Sequence, residues 1–136
     1  MYKRLLIPVA LEHGHRGEDA LRVASLLSDA GAEIFLFHVI EDIPAYARVE
    51  IPDSIFQNAR KEAETSLRLL AKTSGTAAKP VVVPGHPGVT IVDYAEKHGI
   101  DCIVIASHRP ELADYFLGST AARVVRHATC SVHVIR

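Results

Sequence analysis

Residues 101–107 read Asp101-Cys102-Ile103-Val104-Ile105-Ala106-Ser107, an almost unbroken apolar run between two polar residues. A strand with one face in water alternates apolar and polar side chains. A run this continuous suits a sheet covered on both faces, the setting of parallel strands. Outward from it, the helix period and the strand period take turns along the chain. Just upstream, Pro87 sits where a first helical turn accepts proline, and Ile91, Val92 and Ala95 form that helix's inner face. Before it, Lys79 to Pro84 is a strand around Val81-Val82-Val83. Further back, Ser54-Ile55-Phe56-Gln57 has the form of a capping box opening a helix to about Lys72. Ala32 to Ile40 is rich in β-branched and aromatic residues and reads as a strand. The preceding helix, about Glu18 to Ala30, places Ala20, Val23, Ala24 and Leu27 on one face, with Gly31 as its left-handed terminator. Leu5 to Val9 is the first strand. Downstream, Gly118-Ser119-Thr120 opens a helix to about His127, and Ser131 to Ile135 is the last strand.

Five strands and four helices in strict alternation predict an α/β fold: an open, Rossmann-like parallel sheet with helices on both faces and right-handed crossovers. The chain of 136 residues suits one domain, residues 1–136, with no linker or repeat. Hydrophobic residues are 49% and charged residues 23%, enough for a proper core.

Fifteen Lys and Arg against sixteen Asp and Glu give a formal charge of -1, which argues against nucleic acid or an anionic membrane as partner. No apolar run has the length of a membrane span. The start, Met1-Tyr2-Lys3-Arg4 followed by Leu5 to Leu11, imitates a signal peptide. It contains Pro8 and runs into Glu12-His13-Gly14-His15-Arg16 without a small-residue cleavage site. The expectation is a cytoplasmic protein. Cys102 and Cys130 both lie in apolar segments and read as buried free thiols rather than a disulfide.

Open α/β sheets bind ligands beyond the carboxyl ends of the strands, where the strand order reverses. Periodicity does not give that order. If it is 3-2-1-4-5, the crevice lies between strands one and four, lined by the loops after Val9 and after Ile105. Those are the two most unusual polar stretches. Gly118-Ser119 at a helix start offers free backbone N–H groups and a hydroxyl to an anion, and His108 and Arg109 offer positive charge. Equally, Ser119 simply caps the last helix. There is no G-x-x-x-x-G-K-[ST], no G-x-G-x-x-G and no G-x-S-x-G, so Walker, dinucleotide and hydrolase-elbow readings fail.

Eight histidines raise a metal reading in which His13, His15 and His108 converge across the crevice. No carboxylate or thiolate is spaced to complete such a set, and no metal site is expected. His38 and His133, inside strands, read as hydrogen-bonded sheet histidines. The last strand, if it lies at the edge, invites a second copy through Ser131, Val132, His133, Val134 and Ile135. Its shortness and Arg136 are the competing explanation for a tolerated edge.

These motifs together resemble the universal stress protein family. The matching features are Ile7-Pro8-Val9, L-F-H-V-I-E at Leu36 to Glu41, G-x-P at Gly85 to Pro87 and D-C-I-V-I-A-S-H at Asp101 to His108. The most specific is L-G-S-T-A-A-R-V-V-R-H-A-T-C-S-V-H-V-I at Leu117 to Ile135. The A-S-H-R-P loop is similar to that of a single-domain bacterial subgroup. The resemblance covers essentially the whole chain. It implies sheet order 3-2-1-4-5, a homodimer paired through the fifth strands, and ATP, with or without Mg2+, bound by G-x-x-G-x9-G-[ST] in the fourth-strand loop. On that resemblance Pro8 and Val39 flank adenine, with Val9 and Ala10 beside them. Ile105 and Ala106 border the adenosine, with Ser107 next to them. His108 and Arg109 reach ribose and phosphates, and Gly118, Ser119, Thr120 and Ala121 hold phosphates.

Three departures from the family pattern stand out. Ala106 and Arg109 replace the first two glycines, the spacer from Arg109 to Gly118 is eight residues rather than nine, and Ala10 stands where an aspartate usually meets adenine. Arg109 would substitute a charged contact for a backbone one, and loss of the aspartate would lower base selectivity. The leading expectation is an adenine-nucleotide-binding, dimeric stress-response or regulatory protein. The alternative is a dimeric stress-response interaction module, with other protein partners, whose nucleotide site is degenerate. An enzymatic role has the least support. Phosphoryl transfer needs a positioned carboxylate, and Glu12, Glu111 and Asp114 read as solvated loop charges.

Overall fold

The computed structural model describes residues 1–11, 16–41, 52–107 and 117–136. Along them run β1 (Tyr2–Pro8), α1 (Gly17–Leu27), β2 (Ser28–Glu41), α2 (Asp53–Thr73), β3 (Lys79–Gly85), α3 (Pro87–Lys97), β4 (Cys102–Ala106), α4 (Ser119–His127) and β5 (Ser131–Ile135). All four strand pairings are parallel, and the sheet order is β3-β2-β1-β4-β5. The α/β alternation is therefore as the periodicities predict, and the order reverses between β1 and β4.

Side chains alternate across the sheet, so each strand feeds two cores. Leu5, Ile7, Val9, Leu36, Val82, Cys102 and Val104 pack with Ala20, Leu21 and Ala24 of α1 and with Ala63, Leu67 and Leu70 of α2. Leu6, Phe35, Phe37, Val39, Ile103 and Ile105 pack with Ile91 and Ala95 of α3 and with Ala121 and Val124 of α4. Cover on both faces is why residues 102–105 show no polar interruption.

The amino end of the sheet is tied by charge and aromatic contact. The two oxygens of the Asp101 carboxylate accept from the Lys3 and Arg4 N–H groups at 2.9 and 3.0 Å. Arg4 also donates to the His98 carbonyl and pairs with Glu33, which in turn pairs with Lys79 at 2.8 Å. Arg4 and Lys79 both lie over the Phe35 ring, at 5.2 and 5.9 Å from its centroid. His98, stacked on Tyr94 at 3.8 Å, closes this end.

Helix ends depart from the sequence expectations in two places. Helix α1 stops at Leu27, not Ala30, because Ser28 is already extended, its hydroxyl bonds the Ala24 carbonyl at 2.6 Å, and its backbone pairs with Tyr2. Gly31 does take a left-handed φ of 79°, but inside β2, where the register with β1 slips between Tyr2 and Arg4. The capping box at Ser54 does not form. Pro52 is the N-cap, no side chain caps the helix, and Ser54 sits within the first turn. At its other end α2 closes with Gly75 N–H to Lys72 and Thr76 N–H to Ala71 carbonyls, the Schellman pattern that requires the left-handed glycine found there (φ 66°).

Candidate site at the β1–β4 divide

The ladder between β1 and β4 covers Leu5↔Cys102 and Leu6↔Ile103. Beyond those pairs β1 stays with β2, to Pro8↔Phe37, and β4 stays with β5, to Ala106↔Ile135. Pro8 has no N–H to continue a ladder, which helps the two strands part. The result is an opening at the carboxyl end of the sheet, where the crossovers leave in opposite directions.

On the β1 side, Val9 N–H donates to the Phe37 carbonyl at 2.8 Å. The Val9 carbonyl lies 2.7 Å from His38 Nδ1. A carbonyl can only accept, so Nδ1 carries the proton and the buried ring clamps the first loop to β2. His38 is thus the hydrogen-bonded sheet histidine expected. Its role in holding Val9 and Ala10 was not evident from the sequence, because His38 and Val9 lie 29 positions apart in the chain. Pro8 and Val39 fall on the same face of neighbouring strands: Pro8 pairs with Phe37, and Val39 lies two residues further on. Val39 and Val9 are buried, Pro8 is half-buried and Ala10 is exposed.

On the β4 side, Ile105 and Ser107 are buried and Ala106 is half-buried. The Ser107 backbone is held twice: its N–H donates to the Ile135 carbonyl at 2.8 Å, and its carbonyl accepts from Gly118 N–H at 2.5 Å. That second bond brings the start of α4 to the end of β4. Gly118 is the N-cap and no side chain caps the helix, so Ser119 is not the cap that the simpler reading required. The first helical bond runs from Ala122 N–H to the Gly118 carbonyl at 2.8 Å. The amides of Ser119, Thr120 and Ala121 precede it and receive no partner from the helix. Such a terminus favours an anion.

The structure therefore brings Pro8, Val9, Ala10 and Val39 to one side of the divide, and Ile105, Ala106, Ser107, Gly118, Ser119, Thr120 and Ala121 to the other. His108 and Arg109 lie outside the described residues, as do His13 and His15 of the metal reading and Glu12, Glu111 and Asp114. Among the described residues no group of three or more His, Cys, Asp or Glu side chains is placed to hold a metal.

Cys102 and Cys130 are both free. Cys102 packs in the α1–α2 core and Cys130 against the α3–α4 core, so the thiols face opposite sides of the sheet. Burial pushes the Cys102 thiol up to about 11 and also raises that of Cys130. Cys130 is only half-buried, less than expected, because it precedes an edge strand. For the same reason His133 is exposed and makes no hydrogen bond among the described residues, unlike the bonded sheet histidine anticipated.

An open parallel sheet of order 3-2-1-4-5, with a helix start brought to the end of its fourth strand, defines a Rossmann-like α/β protein. The chain belongs to the universal stress protein family, whose model matches residues 1–136. It is 28% identical to universal stress protein G of Salmonella typhimurium over the full length of both chains. The fold is similar to that of the hypothetical protein MJ0577, at 27% identity and TM-score 0.81, covering 99% of this chain and 96% of that one. It is also similar to UspA from Lactobacillus plantarum, at 29% identity and TM-score 0.71, covering 99% and 98%. Two more distant members share the fold. One, from Archaeoglobus fulgidus, was solved in complex with dAMP (23% identity, TM-score 0.67, covering 99% and 98%). The other, from Arabidopsis thaliana, was solved with AMP bound (18%, TM-score 0.61, covering 98% and 90%).

Proposed function

We propose that this protein binds an adenine nucleotide, ATP with or without Mg2+, at the β1–β4 divide and acts as a dimeric stress-response regulator in the cytoplasm. The observation that carries the reading is the junction of Ser107 with Gly118, which delivers the first-turn amides of α4, unpaired among the described residues, to the open end of the sheet. Phosphate is the ligand chemistry that such amides accept. Pro8, Val39 and Ile105 supply an apolar surface for a base, and Arg109 and His108 supply charge to the phosphates. The dAMP and AMP complexes of family members support an adenine nucleotide as the ligand class. The cytoplasmic setting rests on two thiols that are free and face opposite sides of the sheet.

β5 supports the dimer. It is an edge strand, paired with β4 alone among the described residues, and its outer backbone groups suit a second copy. The competing reading, an interaction module with a degenerate nucleotide site, is favoured by Ala10. Its exposed methyl offers adenine no acceptor in place of a carboxylate.

Denaturing the purified protein and running the supernatant by liquid chromatography and mass spectrometry tests the choice. Co-purified ATP or AMP near one per chain is expected. An empty protein that also gives no heat on calorimetric titration with millimolar ATP, with and without Mg2+, would reject nucleotide binding. If an Ala10→Asp, Arg109→Gly variant then binds ATP, the degenerate-site reading holds.

A further inference from the structure

Symmetry restricts how a second copy can meet β5. Two copies of one strand paired antiparallel about a two-fold axis must have that axis normal to the sheet, and one residue then faces its own mate. β5 spans Ser131–Ile135, so the register of greatest overlap centres on His133. That register also sets Val132 against the partner's Val134, twice. Both valines are half-buried against the α3–α4 core, so the two apolar faces become continuous. Centring on Val132 would instead set Val134 against Cys130, and centring on Val134 would set Val132 against Arg136.

We propose that the second copy docks in the register that places His133 against the partner's His133, so that protonation of the facing imidazoles loosens the dimer. The inference rests on the β5-paired dimer proposed above. His133 pairs in register with Val104, whose side chain is in the α1–α2 core, so the imidazole stands on that face of the sheet. Its neighbours there are Ser131 and Ile135 of its own strand and Val104 of β4. Cys102, at the far end of β4, is uncharged near neutral pH because burial pushes its thiol up to about 11. On the same face, α1 and its N-cap bring Arg16, Glu18, Asp19 and Arg22. Arg16 is engaged by Asp19 and by the Arg136 carbonyl, and Arg136 lies just beyond the strand. Arg123, Arg126 and His127 of α4 cover the other face.

Directly opposed residues of an antiparallel pair have Cα atoms about 4.5 to 5.5 Å apart. Two imidazolium rings at such a separation repel by enough to weaken association roughly tenfold. The dimer takes up protons less readily than two separate chains. Association is therefore strong while the facing imidazoles are neutral and weakens once both carry a proton.

Sedimentation equilibrium of the full chain at about pH 8 and about pH 5 tests this, alongside His133→Gln, a neutral replacement at an exposed position. The expected result is a dimer at the higher pH whose dissociation constant rises about tenfold at the lower, with the rise absent in H133Q. A dimer whose affinity does not change with pH, or falls equally in H133Q, would overturn the His133 register while leaving the β5 dimer standing. A monomer at the higher pH in both proteins would overturn the dimer itself.

Discussion

The carbonyl of Ser107 accepts the N–H of Gly118 at 2.5 Å, although ten residues separate them along the chain. This bond closes the base of the β4–α4 connection. It ties a helix terminus to a strand that is held from its other side by Ile135. The placement of the proposed phosphate-binding amides depends on it.

Gly118→Pro tests that dependence. The φ of Gly118 is -55°, close to what proline imposes, so the backbone fits while the donated hydrogen bond is lost. A destabilisation of about 1 kcal/mol is expected from chemical denaturation. A loss of ATP affinity larger than that destabilisation explains is expected from calorimetry. Unchanged affinity would show that the junction does not position the site.

The two cysteines should differ in reactivity and should not join within one chain. Cys102 is 1% exposed with its thiol raised to about 11, so alkylation at pH 8 should modify Cys130 first and leave Cys102 protected until unfolding. Mild oxidation should give no intramolecular disulfide, because the side chains lie on opposite faces of the sheet. Peptide mapping by mass spectrometry reads both outcomes.

Gly85 and Gly88 should respond differently to alanine. Gly85 has φ 147°, and an added Cβ would lie 2.3 Å from Thr90 Oγ1, so strain and clash combine. Gly85→Ala should cost about 2 kcal/mol or more. At Gly88 the added Cβ meets Arg123 Cδ at 2.7 Å, the middle of a flexible and exposed side chain. Gly88→Ala should cost under about 1 kcal/mol. Denaturation midpoints of the two variants give the comparison.

Acid should weaken the amino end of the sheet through Glu33. The hydrogen bond from Lys79, then the charges of Lys79 and Arg4, hold its carboxyl below the ordinary value of 4.5. A depressed folded-state value contributes stability that is present above the ordinary range and lost as pH falls through the folded value. Glu33→Gln should therefore lower Tm at neutral pH and converge with the parent protein in strong acid. Thermal scans across that range check the sign.

The alternation of periods established the α/β fold and, among the described residues, the five strands and the four helices, because helix and strand bury side chains at different spacings that a single sequence displays. The continuity of Cys102 to Ile105 likewise reported cover on both faces of the sheet. The last strand, Ser131–Ile135, was legible to the residue. Local signals were weaker where distant parts of the chain compete. Gly31 advertised a left-handed residue and has one, yet pairing of Ser28 with Tyr2 ended the helix four residues earlier. Ser54 had the right neighbours for a capping box, but Pro52 with its extended backbone took the cap.

The strand order was implied by the family resemblance and not by periodicity; the tertiary structure bears it out and decides the contacts that follow from it. Periodicity says that a strand is buried, not which strand lies beside it. The separation of β1 from β4, the clamp of His38 on Val9, and the approach of Gly118 to Ser107 all join residues far apart in the chain. So does the position of β5 at the edge, which leaves His133 exposed. Parallel pairing forces long crossovers, and the ends of those crossovers are brought together by packing rather than by any neighbouring residue.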